Sequence, residues 1–457
     1  MMKYRKPNFR LHMIAFGLLA GLAALGYTVA ATAGAPVFPL KASADNRLLV
    51  DQNNVPFLMV GDAPQSLIGN LSKADAKFFI ADRATWGINA LWINLLCDAY
   101  TACNADGTTY DGIAPFTTPG DLSTPNPAYF DRAAQMLRLA ADQNMVVLLD
   151  PAETGGWLGV LEANGVQKAR AYGRYLGRRF KDFPNIIWMS GNDFQSWRNP
   201  SDDAVVSAVA KGIKDVDTNH IHTIELDYYV SASLDDKTWR PIVGLDAVYT
   251  YRPTYAKELS EYKRANFKPT FLVEANYEFE HNGGTDGGST QNLRRQEYWT
   301  ALSGTTGQLY GSHYSWTFEN GWQQNLDTIG IQQLSWMEQL FAARPWYNLV
   351  PDFTHQVLTR GYGHFSKSDS ITTDTYATAA STPDGTLAMA YLPSVRTVTI
   401  DMSKFSGAVT AQWFDPTNDS FATIAGSPFQ NSGIQKFTPP GNNSTGDGDW
   451  ILDLEVK

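Results

Sequence analysis

Two acids stand where apolar runs stop. Asp193 closes the run in "NIIWMSGNDF", and Glu274 lies in "PTFLVEANYE", where strand-forming residues give way to polar ones. A carboxylate at such a place is costly to bury unless it is paired or used. Two acids converging on one bond could cleave a glycosidic linkage, one protonating the departing oxygen while the other attacks the anomeric carbon or activates water. Their separation would decide the outcome, about 5 Å giving retention and about 6.5 to 9.5 Å giving inversion. Plainer roles are open to both: Asp193 as a turn former or helix N-cap, Glu274 as half of a buried ion pair.

Further polar groups recur at the ends of similar runs: Asp62, then Asn94, then Asp150 and Glu153, then Asn192 beside Asp193. His222, Glu225 and Asp227 follow, then Tyr249 and Tyr251, then Asn276 and Glu278 beyond Glu274, and finally His313, Tyr314 and Trp316. Acids mixed with aromatic rings suit a neutral, polyhydroxylated ligand, which would stack on the rings and offer hydroxyls to the carboxylates. Glu278 is the rival to Glu274 as nucleophile. Asp62, Asp150 and Glu225 read as groups that orient neighbours or bind substrate hydroxyls, and the tyrosines and Trp316 read equally well as packing.

The elements that must position these groups alternate. Strand-like runs start at Phe57, Asn89, Met145, Asn185, His220, Asp246, Pro269 and Gly307, with amphipathic segments such as 126–143, 165–182, 202–214, 292–302 and 331–342 between them. This rhythm predicts a (β/α)8 barrel over residues 40–350, with functional groups at the carboxyl ends of its strands. An open doubly wound sheet is disfavoured because no glycine-rich phosphate turn follows the first strand. From 351 to 457 the texture changes to short alternating runs, among them "TLAMAYLP", "TVTIDMS" and "DWILDLEV", which predict a small antiparallel β-sandwich packed directly on the barrel.

Residues 1–33 hold four basic and no acidic side chains, an apolar middle and Ala31-Thr32-Ala33, the pattern of a secretory signal peptide; an uncleaved anchor is the alternative. Cleavage would take the formal charge from −10 to −14. It would leave a secreted or periplasmic protein with no stable membrane insertion and an acidic surface unsuited to nucleic acid. Cys97 and Cys103 in "CDAYTAC" are expected to form a loop disulfide; a catalytic thiol is the weaker reading, with no activating His apparent nearby. His220 and His222 raise a metal-dependent hydrolase, but the whole chain has only seven His, and such sites draw several from different strands. A carbohydrate-binding protein with an idle barrel is a further alternative.

The segments "VPFLMVGDAPQSL", "GINALWINLL", "NIIWMSGNDF", "FLVEANYE" and "LRRQEYWTALSGTTGQLYGSHYSW" resemble those of the apiosidase-like glycoside hydrolases, relatives of the large clan of (β/α)8 retaining glycosidases. "AQWFDPTND" and "GDGDWILDLE" resemble the small domain, named for collagen binding, that commonly follows that barrel. The resemblance implies Asp193 as acid/base and Glu274 as nucleophile, acting on an oligo- or polysaccharide without metal or organic cofactor. The wider clan places Glu where this chain has Asp193; the apiosidase-like group places Asp.

Overall fold

The apolar runs become eight parallel strands: Met59–Asp62, Ala90–Asn94, Val146–Asp150, Ile186–Ser190, His222–Ile224, Asp246–Thr250, Thr270–Glu274 and Gly307–Tyr310. They are strands one to eight below. The computed structural model describes residues 34–457, so the expected signal segment lies outside the described residues. Strand eight pairs with strand one, and each strand pairs with the next except at five and six. Both faces are buried, as parallel strands require. Inside, alternate residues such as Met59, Trp92, Leu148, Met189, Ala247, Phe271 and Leu309 fill the barrel. The intervening residues, Val60, Leu91, Val147 and Trp188 among them, meet the surrounding helices.

The helices outside the strands include Lys73–Thr85, Pro127–Ala141, Pro200–Lys214, Thr254–Tyr262, Thr290–Ala301 and Ile329–Ala342. After strand three, helical residues span Thr154–Phe180, broken at Gly165, whose φ of 72° and ψ of 169° are not helical. Between strands five and six the alternation fails, and the described residues there form no α-helix, only the 3-10 turn Ser233–Asp235. There the chain makes a short strand, Val230–Ala232, antiparallel to strand six. The Ser233 hydroxyl then closes the seam, donating to the Ile224 carbonyl at 2.6 Å and accepting the Ala247 N–H at 2.9 Å. A side chain thus replaces the missing ladder.

Beyond Val350 two antiparallel sheets of six and three strands face each other across Leu358, Val398, Ile400, Trp413, Phe437 and Leu452. The outer face of the larger sheet lies on helices Thr290–Ala301 and Ile329–Ala342. Tyr298 stacks on Tyr391 there at 5.2 Å, and the buried Arg294 reaches Asp449 at 2.8 and 2.9 Å. Among the described residues, no helix is long and apolar enough to cross a membrane.

Candidate active site

Strand seven carries Glu274 into the barrel mouth through a break in register. Leu272 pairs with Val248, but Glu274 pairs with Tyr249, so one extra residue, Val273, enters the strand. Without it Glu274 would fall opposite Thr250 and point at the helices. With it Glu274 shares the inward face of Tyr249, the re-aiming that a bulge provides. The carboxylate then accepts from three phenols: Tyr249 at 2.7 Å and Tyr251 at 3.0 Å on Oε1, Tyr277 at 2.7 Å on Oε2. Burial pushes its pKa up, to about 8, with the charge of Asp193 adding to the rise and the phenols opposing it.

Asp193 is placed by an unusual backbone. Gly191, Asn192 and Asp193 have φ of 113°, 65° and 51° in succession. A Cβ on Gly191 would lie 2.1 Å from the Glu225 carbonyl oxygen, so glycine is required where strand four ends against strand five. The Asp193 N–H donates to Glu225 Oε2 at 3.0 Å. Its Oδ2 accepts from the Tyr100 hydroxyl, and its Oδ1 is buried without a partner. Burial raises its pKa foremost, opposed by the hydrogen bond from Tyr100 and by the nearby Tyr249 phenol and reinforced by the charge of Asp227. Desolvation therefore matters more to this group than the neighbouring charge.

The hydrogen-bond inventory divides the roles. An ionised carboxylate can only accept, and Glu274 is met by three donors. Asp193 has one donor on Oδ2 and a free Oδ1, where a proton has room. Donors therefore offset burial more at Glu274 than at Asp193.

Residues 43–348 match the family model described as "Apiosidase-like, catalytic domain". The chain belongs to the apiosidase-like family. It is accordingly a glycosidase, and residues 367–455 match the model described as "Putative collagen-binding domain of a collagenase". A solved structure named "Glycoside hydrolase" is similar at TM-score 0.76 and 21% identity, covering 92% of this chain and 97% of its own. A glycoside hydrolase family 5 structure from Bacteroides vulgatus has TM-score 0.77 and 21% identity, covering 91% and 93%. Among curated proteins none matches the chain.

In this apiosidase-like barrel several of the expected substrate-binding groups do gather at the pair. Glu225 and Asp150 are buried near it; burial raises both pKa values, and the charges of Glu274 and Asp193 raise Glu225 further. Asn192 donates to Gln65 Oε1 at 2.7 Å, Gln65 to the Tyr277 hydroxyl at 3.2 Å, and Tyr277 to Glu274, which links strands four and seven. At the rim Trp316 donates to Glu280 at 2.7 Å, with the His313 ring 3.6 Å from the same carboxylate. Asn282 joins Glu280 to the Tyr251 hydroxyl.

Others are elsewhere. Asp62 follows Val60 on the outward phase of strand one and pairs with Arg83 at 2.6 Å, both fully buried. His222 shares the outward phase of Ile224 at the start of strand five, far from the carboxyl ends, beside Lys214 and His220. Among the described residues, no group of three or more His, Cys, Asp or Glu that could hold a metal forms there or elsewhere. Glu278, the rival nucleophile, accepts from Tyr310, from Thr328 at 2.6 Å and from the Gly330 N–H at 3.0 Å, which fixes it on the N-terminus of helix Ile329–Ala342. Asn276 is clasped by Gln296 through its backbone N–H at 3.1 Å and carbonyl at 2.9 Å. Asn94 and Glu153 bind each other at 3.0 Å beneath the loop closed by the Cys97–Cys103 disulfide.

Three residues of the site do not stand out in the sequence: Tyr100, Gln65 and Tyr277. Gln65 and Tyr277 lie inside the quoted "VPFLMVGDAPQSL" and "FLVEANYE", close to acids that drew attention first. Tyr100 sits between the cysteines, and only the folded loop brings it to Asp193.

Proposed function

We propose that the protein is an exported, retaining glycoside hydrolase that cleaves a glycosidic bond in plant-type polysaccharide, with Glu274 as nucleophile and Asp193 as acid/base. Glu274 attacks the anomeric carbon as the bond to the leaving oxygen breaks, and Asp193 passes its proton from Oδ1 to that oxygen. Water then attacks the glycosyl-enzyme; Asp193 takes its proton, and Glu274 departs as a carboxylate. Esterified Glu274 has no charge, so Asp193 becomes more acidic between the steps and serves as base in the second.

The observation that carries this reading is the unequal supply of donors, three phenols on Glu274 against a free Oδ1 on Asp193. Retention rests on the family, with Tyr249, bonded to Glu274 at 2.7 Å and near enough to Asp193 to bear on its pKa, as a group common to both acids. Exposed rings after strands five and seven, Tyr228, Tyr229 and Phe279, offer faces for sugar stacking. Export rests on the pattern of residues 1–33, and the substrate class on the family.

The test is hydrolysis of aryl glycosides and plant pectic oligosaccharides by the mature protein beside Asp193→Ala and Glu274→Ala. Both substitutions should abolish turnover, and azide should rescue Glu274→Ala as a glycosyl azide of inverted configuration. Full activity in either variant would reject the assignment.

A further inference from the structure

Tyr100 is held more firmly than an exposed tyrosine on a loop has any structural need to be. Its residue is 40% exposed, yet its hydroxyl ends on Asp193 Oδ2. It lies in a single turn, Ala99–Thr101, whose cap Asp98 accepts the Tyr100 N–H at 2.8 Å. The Cys97–Cys103 disulfide closes the turn. Glu153 ties it from beneath, accepting the Asp98 N–H and the Thr101 hydroxyl, each at 2.6 Å, and Asn94 at 3.0 Å. Glycines make the room. A Cβ on Gly155 would lie 2.3 Å from the Tyr100 ring, one on Gly156 2.0 Å from the Asp98 carboxylate, and one on Gly69 2.7 and 2.8 Å from the two sulfurs.

We propose that Tyr100 is a positioning residue for the acid/base Asp193, and that the disulfide loop braced on Glu153 is the device that holds it in place. The proposal rests on the assignment of Asp193 made above. By fixing Oδ2, Tyr100 leaves Oδ1 as the oxygen that faces the leaving group. As the proton departs, charge grows on Asp193, and the hydrogen bond from Tyr100 strengthens with it. A short side chain on left-handed backbone needs such a partner, because among the described residues Asp193 has one other side-chain neighbour able to donate, Tyr249, and that phenol is engaged by Glu274. The titratable groups facing Asp193 are Tyr100, Glu225, Asp227, Tyr249, Tyr251 and Glu274; of these, Tyr100 is the donor not engaged by a second acid.

The test compares Tyr100→Phe, Gly155→Ala and the double variant Cys97→Ser with Cys103→Ser against the intact protein, with Asp193→Ala as control. Two aryl glycosides of the same sugar are used, one with a good and one with a poor leaving group. Tyr100→Phe should lower kcat about 10- to 100-fold on the poor leaving group and far less on the good one, with KM nearly unchanged. Loss of a donor raises the pKa of Asp193, so the alkaline limb of the kcat/KM profile should move to higher pH. Gly155→Ala and the serine pair should move both readouts the same way by a smaller amount. A leaving-group-independent loss with an unmoved alkaline limb, or kinetics equal to the intact protein, would overturn the positioning role while Asp193→Ala remains inactive on the poor leaving group. An Asp193→Ala that keeps full activity on the poor leaving group would instead overturn the acid/base assignment, and this proposal with it.

Discussion

Glu274 faces Tyr249 because one extra residue enters strand seven, and this single slip turns the carboxylate from the helices to the barrel mouth. The phenol and the carboxylate meet at 2.7 Å, with Tyr251 and Tyr277 completing the set of donors. The phenols therefore offset part of the cost of ionising the buried Glu274 before any substrate arrives.

Removing one donor should show in the acid limb of the pH profile. Tyr249→Phe makes the Glu274 carboxylate harder to ionise, so the limb where the nucleophile becomes protonated moves to higher pH. With one charge-assisted hydrogen bond gone, kcat/KM should fall about 10- to 100-fold. An acid limb that stays in place while activity falls would mean that Tyr249 contacts substrate and does not set the nucleophile's charge.

Asp62 should matter for stability and not for turnover. It and Arg83 are both fully buried, and Asp62→Ala leaves the guanidinium with Asp82, at 2.8 Å, as its one remaining carboxylate partner, a loss of up to about 3 kcal/mol. The variant should melt well below the parent yet, measured where it is folded, keep its kcat/KM within a few-fold. A large fall in kcat/KM at a temperature of intact folding would restore the substrate contact that the sequence suggested.

Much of the fold could be read from the chain because barrel strands buried on both faces leave continuous apolar runs. Asp193 and Glu274 were legible for a related reason: an acid ending such a run is conspicuous. What failed was side-chain phase. Asp62 and His222 lie on the outward phase of strands one and five, Glu278 caps a helix, and no run of residue types shows where a bulge will shift Glu274 by one position. Tyr100 was hidden differently. Its partner is 93 residues away, and only the loop's closure makes them neighbours.

Buried acids make stability depend on pH. Burial pushes Asp150 up to about 8, Glu153 to about 9 and Glu297 to about 8. Their folded values exceed their unfolded ones, so the folded state holds more protons between them, and stability falls as pH rises. The contribution is complete below the unfolded carboxylate range, at about pH 4, and is lost as the pH rises through the folded values of about 8 to 9. Urea unfolding at pH 5, 7 and 9 should show a decline on the order of a few kcal/mol, made shallower by Asp150→Asn. A stability that rises over that window would show these acids to be ionised and compensated in the fold.

The carboxyl-terminal sheets should prove necessary to the barrel. Helices Thr290–Ala301 and Ile329–Ala342 present Tyr298, Trp299 and Phe341 to the larger sheet, and Trp299 donates to the Tyr376 carbonyl at 2.8 Å. Arg294 has no exposure and depends on Asp447 and Asp449, while Arg344 pairs with Asp453 at 2.6 Å. A chain ending at residue 349 would expose those rings, each worth about 1.5 to 3 kcal/mol buried, and strip a buried guanidinium of its partners. That sum rivals the whole stability of a domain. The truncated protein should be insoluble or melt without cooperativity, and Arg294→Ala in the full chain should lower the melting temperature while leaving KM unchanged. A truncated barrel that melts cooperatively at the parent's temperature would show that the sheets are not structural support, and would direct attention to their outer surface as a binding face.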